Sequence, residues 1–277
     1  GHKVRRMAVI AFAIPGALII GFTLGLLGSG GSILSLPVLV YLLGYDEKVA
    51  IASSLAIVGL ISLFGSITYV RQRKIDWWIV LIFGVPAVLG TYIGAAASVF
   101  VSGAVQLATF SLVMMVAAFF MLRPTRLQPK TREPKPFDSQ TSAAQTRHIT
   151  QGTSAMIVVE GLGVGGVTGL VGVGGGFLIV PALVLLGGIN IHRAIATSLV
   201  IITLKSFAGF IKYMDVLSST SIDLWVIGLF STVGIVGCML GGLVAPHIHQ
   251  EHLKRSFGIV LVVIGLFIFY QTLPALV

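Results

Sequence analysis

The chain has 277 residues, of which 56% are hydrophobic and only 10% are charged, and its mean hydropathy is +1.03. So few charges cannot cover the surface of a water-soluble domain, so the composition excludes that class of protein. The net charge of +9 does not indicate nucleic-acid binding, because the basic residues lie in short stretches between apolar runs. We therefore predict an all-α, polytopic membrane protein. Its expected partner is the lipid bilayer, and no nucleic acid is expected as a partner.

Apolar runs follow one another in both halves of the chain, and several reach about 20 residues, the length that spans a bilayer core. In the first half they lie at about 7–28, 32–44, 49–70, 77–99 and 103–122. In the second half they lie at about 153–171, 176–188, 192–212, 222–244 and 253–273. The polar stretch between them is typical of a linker. The predicted organisation is an N-terminal transmembrane repeat at 7–122, a cytoplasmic linker at 123–152 and a C-terminal transmembrane repeat at 153–273.

One Gly-rich segment occurs in both halves. Residues 25–58 align without a gap with residues 169–202, at an offset of 144. Glycines at matching positions include Gly28, Gly30 and Gly31 in the first copy and Gly172, Gly174 and Gly175 in the second. Duplicated, Gly-interrupted hydrophobic segments in matching halves are typical of secondary transporters and point to the substrate site.

The segment that follows each glycine cluster is too short to span a bilayer. Residues 32–44 and 176–188 would form helices of about 20 Å, against a hydrocarbon core of about 30 Å. Glycine permits the backbone conformations that interrupt a helix. We therefore expect a non-helical break followed by a half-helix in each half, with the two breaks close together near the bilayer midplane.

Two topologies are compatible with the short segments. If they are re-entrant, the protein has eight full spans plus two short broken half-helices, and its halves are parallel. If they cross, each half has five membrane segments and the halves form a 5+5 inverted repeat, which is common in transporters. The distribution of basic residues favours the eight-span topology, and the inverted repeat is the alternative.

A half-helix that begins at a break presents free backbone N–H groups, which bind anions without charged side chains. Hydroxyl groups in the breaks and in the third segments could donate further hydrogen bonds. The candidate substrate-binding residues of this kind are Gly28, Ser29, Gly30, Gly31, Ser32, Ser53, Ser54, Gly172, Gly174, Gly175, Gly176, Thr197 and Ser198. The alternative is structural, since glycines also allow close helix packing and hydroxyls bond to nearby backbone. Helix packing is the expected role of the pairs Gly21/Gly25, Gly90/Gly94 and Gly237/Gly241.

Two ionisable residues lie within apolar runs of the second half. Lys205 occupies the position of Ile61 in the first half, and Glu160 occupies that of Gly16. Ionisable groups are costly inside a membrane and by default indicate a functional site, so Lys205 is a candidate ligand for an anionic substrate. Glu160 is a candidate for an ion pair with Lys205 or for proton coupling, and Lys205 could alternatively extend to the membrane interface.

Both G-x-x-G-x-G-G motifs have a proline six residues on and are followed by an A-x-A-[ST]-S-L helix, at 50–55 and 194–199. This pattern resembles the sulfite exporter TauE/SafE family, and the likeness covers nearly the whole chain. The resemblance implies a transporter, most simply an exporter, of a small sulfur-containing anion such as sulfite, thiosulfate or an organosulfonate, in the bacterial inner membrane. The resemblance is compatible with coupling of transport to a proton or another ion, and with assembly into a homodimer.

No Walker motif and no nucleophile–base arrangement is visible in the sequence, and no metal is predicted. We therefore expect neither an enzyme nor a cofactor. An anion channel is the nearest alternative function, and a structural or sensory subunit of a membrane complex is an alternative of a different class.

Overall fold

The computed structural model describes residues 2–28, 30–71, 74–122, 151–172, 176–185, 191–217 and 222–276. These residues are almost entirely helical and include no strand, which confirms the all-α prediction. Most of the predicted linker, 123–150, lies outside the described residues.

The described part of the first half folds into five helices. They are α1 (His2–Leu27), α2 (Gly30–Pro37, continued as a π-helical turn over Val38–Leu42), α3 (Glu47–Arg71), α4 (Trp77–Phe100) and α5 (Gly103–Leu122). The second half has five matching helices. They are α6 (Gln151–Val171), α7 (Gly176–Leu185), α8 (Ile191–Val216), α9 (Leu224–Val244) and α10 (Gln250–Leu276).

Within the described residues, four helices are long and apolar enough to span a bilayer: α3, α4, α8 and α9. Shorter apolar helical stretches accompany them at Ile14–Leu27, Gly31–Leu42, Gly103–Phe119, Ile157–Val171 and Gly258–Thr272. The chain is therefore a multi-pass membrane protein, as its composition predicts.

Acidic N-caps begin the two helices α4 and α9, which occupy matching positions in the halves. Asp76 Oδ1 accepts a hydrogen bond from the backbone N–H of Ile79 at 3.4 Å. Asp223 Oδ1 accepts from the N–H groups of Trp225 and Val226 at 3.0 and 3.3 Å. Capping of this kind satisfies backbone donors that a helix start leaves without partners. It therefore fixes the point at which each helix begins.

Helices α3 and α8 form the centre of the protein. Of the 18 most apolar consecutive residues in each helix, 78% are buried in α3 and 67% in α8, whereas 44% are buried in both α4 and α9. Leu55 lies beside Gly209, Ser206 beside Gly59, and Leu199 beside Gly65. Residue numbers thus fall along α8 as they rise along α3, so these two matching helices run antiparallel. Parallel halves would instead make them run in the same direction.

The outer helices pack reciprocally across the two halves, α1 against α9 and α6 against α4. Glycines make these contacts close. On α1, a Cβ at Gly21 would collide with the backbone carbonyl of Gly234 on α9, and a Cβ at Gly25 with that of Cys238. At the matching positions of α6, a Cβ at Gly165 would collide with the carbonyl of Ala87 on α4, and a Cβ at Gly169 with that of Thr91. The glycines predicted to pack helices do so from the other side as well: Gly90 and Gly94 face α6, and Gly237 and Gly241 face α1.

Candidate functional site

The two Gly-rich segments interrupt the helices at matching points. Helix α1 ends at Leu27 and α2 begins at Gly30, and α6 ends at Val171 while α7 begins at Gly176. Gly28 has φ = +70° and Gly172 has φ = +69°. This left-handed conformation is readily available only to glycine, which explains why glycine stands at both positions.

In the first half the chain turns back at this point. Gly31 near the start of α2 lies against Leu24 and Ile20 of α1, and Val38 beyond the end of α2 lies beside Gly16. Helix α2 therefore runs back along α1, and the break is the turn of a tight helical hairpin.

Each break is hydrogen-bonded to the opposite half of the protein. Ser198 Oγ of α8 donates to the carbonyl oxygen of Gly28 at 3.1 Å, and Ser54 Oγ of α3 donates to that of Gly172 at 3.3 Å. Both hydroxyls also lie within 3.0 Å of the carbonyl three residues earlier on their own helix. Because a hydroxyl has a single proton, these two serines use it on backbone carbonyls in this structure.

Isoleucine side chains complete the contact of each break with the other half. The space where Gly28 would carry a Cβ lies 2.7 Å from Ile195 Cα, and the corresponding space at Gly172 is filled by Ile51. Ile51 and Ile195 occupy matching positions at the same offset as the two breaks. A side chain at either glycine would therefore push the halves apart.

The breaks lie at opposite ends of the α3–α8 pair. Ser54 is near the start of α3, whereas Ser198 lies next to Leu199, which is beside Gly65 near the far end of α3. About 11 residues of helix, or about 17 Å, thus separate the two contact points. The expectation that the breaks meet near the midplane is wrong, because antiparallel packing places matching residues at opposite ends.

Two tyrosines and a glutamine bond to the helix ends that lead into the breaks. The hydroxyl of Tyr69 donates to the carbonyl of Gly25 at 3.5 Å, and that of the matching Tyr213 donates to Leu170 O at 3.1 Å. Gln106 Nε2 also donates to Leu170 O, at 2.6 Å. The repeat of Tyr69 at Tyr213 was visible in the sequence. Nothing there indicated Gln106.

Lys205 is fully buried, with 0% of its surface exposed, in the middle of α8. Its Nζ donates a hydrogen bond to Thr168 Oγ1 of α6 at 2.6 Å. Thr168 Oγ1 in turn lies 3.1 Å from the carbonyl oxygen of Gly165, to which it donates. Within the described residues, Thr168 is the only hydrogen-bond partner of Lys205. The side chain of Lys205 therefore does not extend to the protein surface.

The predicted ion pair between Lys205 and Glu160 is not formed. The salt bridges between described residues are Lys212–Asp215 and Arg255–Glu251, and neither involves Glu160. Glu160 precedes Thr168 by eight residues on α6, which corresponds to about 12 Å. In the eight-span topology, with parallel halves, Glu160 and Lys205 would instead lie at similar depth. The Oε1 atom of Glu160 is buried and has no hydrogen-bond partner among the described residues.

Two further buried hydroxyls lie in the middle of the α3–α8 pair. Ser62 and Ser206 occupy matching positions, and the Oγ atoms of both are buried without a hydrogen-bond partner in the described part of the chain. Ser206 follows Lys205 directly and lies against Gly59 of α3. Neither serine is among the residues predicted from the sequence, although their match at the offset of 144 was a usable signal.

The remaining candidates fall into three groups. Ser32, Ser53 and Thr197 are buried, and Thr197 Oγ1 accepts a hydrogen bond from the backbone N–H of Asp76 at 3.1 Å. Gly30 and Gly176 are the first residues of α2 and α7. The residues Ser29, Gly174 and Gly175 lie outside the described part of the chain. Within the described residues, no cluster of three His, Cys, Asp or Glu side chains could hold a metal ion.

The chain is similar in sequence to proteins described as membrane transporters. The model of the family described as sulfite exporter TauE/SafE matches residues 13–268. A probable membrane transporter protein of Xylella fastidiosa (strain Temecula1) is 30% identical over 263 residues, covering 94% of each chain. A probable membrane transporter protein of Bacillus subtilis (strain 168) is 27% identical, covering 96% of this chain and 98% of the relative. No solved structure matches the chain. The chain belongs to the sulfite exporter TauE/SafE family.

Proposed function

We propose that this protein is a secondary transporter that moves a small sulfur-containing anion, such as sulfite, thiosulfate or an organosulfonate, out of the cell across the bacterial inner membrane. The observation that carries the proposal is Lys205. A fully buried lysine with one neutral hydrogen-bond partner, and no carboxylate partner among the described residues, leaves a positive charge that an anion can compensate. No enzymatic chemistry and no cofactor are part of the proposal.

Antiparallel packing of α3 and α8 supports a 5+5 inverted repeat rather than eight parallel spans. In this topology each half contributes five membrane segments, of which α2 and α7 are the short ones. Inverted repeats around a central site allow the site to open alternately to either side of the membrane. The inverted topology therefore fits a transporter better than a structural or sensory subunit.

We further propose that the Gly-rich breaks contribute to anion binding through the N-termini of α2 and α7. Helix N-termini carry unpaired backbone N–H groups and a partial positive charge. Because the breaks lie at opposite ends of the α3–α8 pair, they flank Lys205 on both sides. We place the substrate contacts predicted for the two glycine clusters there, and we assign Glu160 to proton coupling, since it has no cationic partner within the described residues.

Sulfite flux in proteoliposomes tests the proposal. The wild-type protein should give saturable sulfite transport that responds to a proton gradient, and Lys205→Met should abolish it. Lys212→Met is the matched control, because Lys212 lies on the same helix but is bonded to Asp215. The control variant should retain the flux.

The alternative functions predict different results in the same assay. Flux that does not saturate and ignores the proton gradient would indicate an anion channel. Absence of flux for sulfite, thiosulfate and an organosulfonate with well-folded wild-type protein would overturn the transporter proposal. Equal loss of flux in Lys205→Met and Lys212→Met would remove Lys205 as its basis.

A further inference from the structure

We infer that the substrate binds at one asymmetric site in the middle of the protein, formed by Lys205, Thr168, Ser62 and Ser206, and that this site selects a compact oxyanion. We call these four residues the central cluster. The inference rests on the proposed function and makes it more specific, because it assigns the main binding site to the middle of α8, between α3 and α6, and not to the two breaks.

Thr168 fixes the position of the lysine. Its single hydroxyl proton points to the carbonyl of Gly165, so its lone pairs face the Lys205 ammonium. An ammonium group has three N–H donors, and only one of them has a partner among the described residues. Two donors on one nitrogen can bind two oxygens of the same oxyanion. Thr168 is thus a positioning residue, and the direct contact to the anion comes from Lys205.

Ser62 and Ser206 supply the second observation. Both side chains are fully buried, and both hydroxyls are without a hydrogen-bond partner in the described part of the chain. Leaving a buried hydroxyl without a partner is costly. Such a cost at matching positions of two packed helices is explained if both hydroxyls serve as donors to a bound anion. Every polar group assigned to the anion then is a hydrogen-bond donor, which suits an oxyanion.

The central cluster is asymmetric, which predicts a single site. The residues of the first half that match Lys205 and Thr168 are Ile61 and Leu24, and both are fully buried hydrophobic side chains. The first half therefore has no second lysine–threonine pair at the matching positions. If the main binding sites were instead the two breaks, which occupy matching positions in the halves, two anions would bind per chain.

Isothermal titration of the purified full-length protein with sulfite distinguishes these arrangements. The wild type should bind about one sulfite per chain. Ser62→Ala and Ser206→Ala should each weaken binding by about tenfold, because each removes one hydrogen bond to a charged ligand. Ser66→Ala is the matched control, since the Ser66 hydroxyl already donates to the carbonyl of Leu63 at 2.7 Å. The control should bind like the wild type.

Variants of Thr168 test the positioning role separately. Thr168→Val should raise the dissociation constant for sulfite by about tenfold or more and raise KM for flux more than it lowers kcat. Thr168→Ser keeps the hydroxyl and should restore both values. If Thr168→Val does not fold, the two serine variants and the stoichiometry still decide the question.

The outcomes separate this inference from the proposed function. Two sulfites per chain, or unchanged affinity in Ser62→Ala, Ser206→Ala and Thr168→Val, would overturn the central site while leaving sulfite transport intact. Wild-type protein that neither binds nor transports sulfite, thiosulfate or an organosulfonate would overturn the proposed function itself. Equally tight binding of chloride and sulfite would overturn selection of an oxyanion.

Discussion

Replacing Gly28 by alanine tests whether the first break is as tightly enclosed as the structure indicates. Two costs add up at this position. A left-handed φ of +70° costs an alanine about 1–2 kcal/mol. The new Cβ would also lie 2.7 Å from Ile195 Cα, a backbone atom that cannot move by itself, and overpacking of this kind costs about 1–3 kcal/mol. We expect a loss of about 2–5 kcal/mol in the free energy of unfolding.

Two other glycines isolate the separate costs. Gly44 has φ = +68°, but no atom lies within 4 Å of the point that a Cβ would occupy there, so Gly44→Ala should cost only the conformational part, about 1–2 kcal/mol. Gly228 lies in helix α9 with the same open space around it and no unusual φ. Gly228→Ala should therefore stabilise the protein by about 0.5–1 kcal/mol through helix propensity.

Chemical unfolding of the four proteins in detergent micelles measures these differences directly. The expected order of stability is Gly228→Ala, wild type, Gly44→Ala and then Gly28→Ala. If Gly28→Ala is no less stable than Gly44→Ala, the close contact between the break and helix α8 does not exist, and the reasoning fails.

Three further predictions concern the serine hydrogen bonds between the halves, the role of Glu160 and the location of the linker. Ser54→Ala and Ser198→Ala should each lower the unfolding free energy by about 1–3 kcal/mol, because each leaves a buried carbonyl short of a donor; unfolding curves that match the wild type would contradict these bonds. Glu160→Gln should not restore stability to Lys205→Met, since the two residues form no ion pair; rescue in the double variant would show that they do. Ser139→Cys should react with a membrane-impermeant maleimide only from the cytoplasmic side, and labelling from outside would refute a cytoplasmic linker.

The sequence predicted those features that depend on matching one half with the other. The offset of 144 matches Gly28 with Gly172 and Ser54 with Ser198. In the structure both glycines adopt a left-handed conformation, and both serines donate a hydrogen bond to the break of the other half. Glycine spacing was sufficient to predict close helix packing, because a missing Cβ has one simple geometric consequence. Helical segments were predictable because apolar runs of this length must satisfy their backbone hydrogen bonds internally.

The relative orientation of the halves could not be obtained in the same way. An alignment identifies equivalent residues but does not say whether the equivalent helices run parallel or antiparallel. The expected pairing of Lys205 with Glu160 depended on parallel halves, and the structure does not form it. The two breaks do not meet either, because each lies near a different end of the α3–α8 pair. Thr168 was not predicted because a single threonine in a helix has many uses, and only its distance from Lys205 distinguishes it.

The exchange of helices between the halves determines which parts of the protein can move as units. Helix α1 belongs to the first half in sequence but packs closely, through glycine contacts, against α9 of the second half. Helix α6 of the second half packs in the same way against α4 of the first half. Neither half, produced alone, could cover these small-residue faces with its own side chains. Two fragments divided within the linker should therefore accumulate only when they are synthesised together. Any motion that opens the centre would therefore take place between the α1–α9 pair and the α4–α6 pair, and each pair contains one helix from each half.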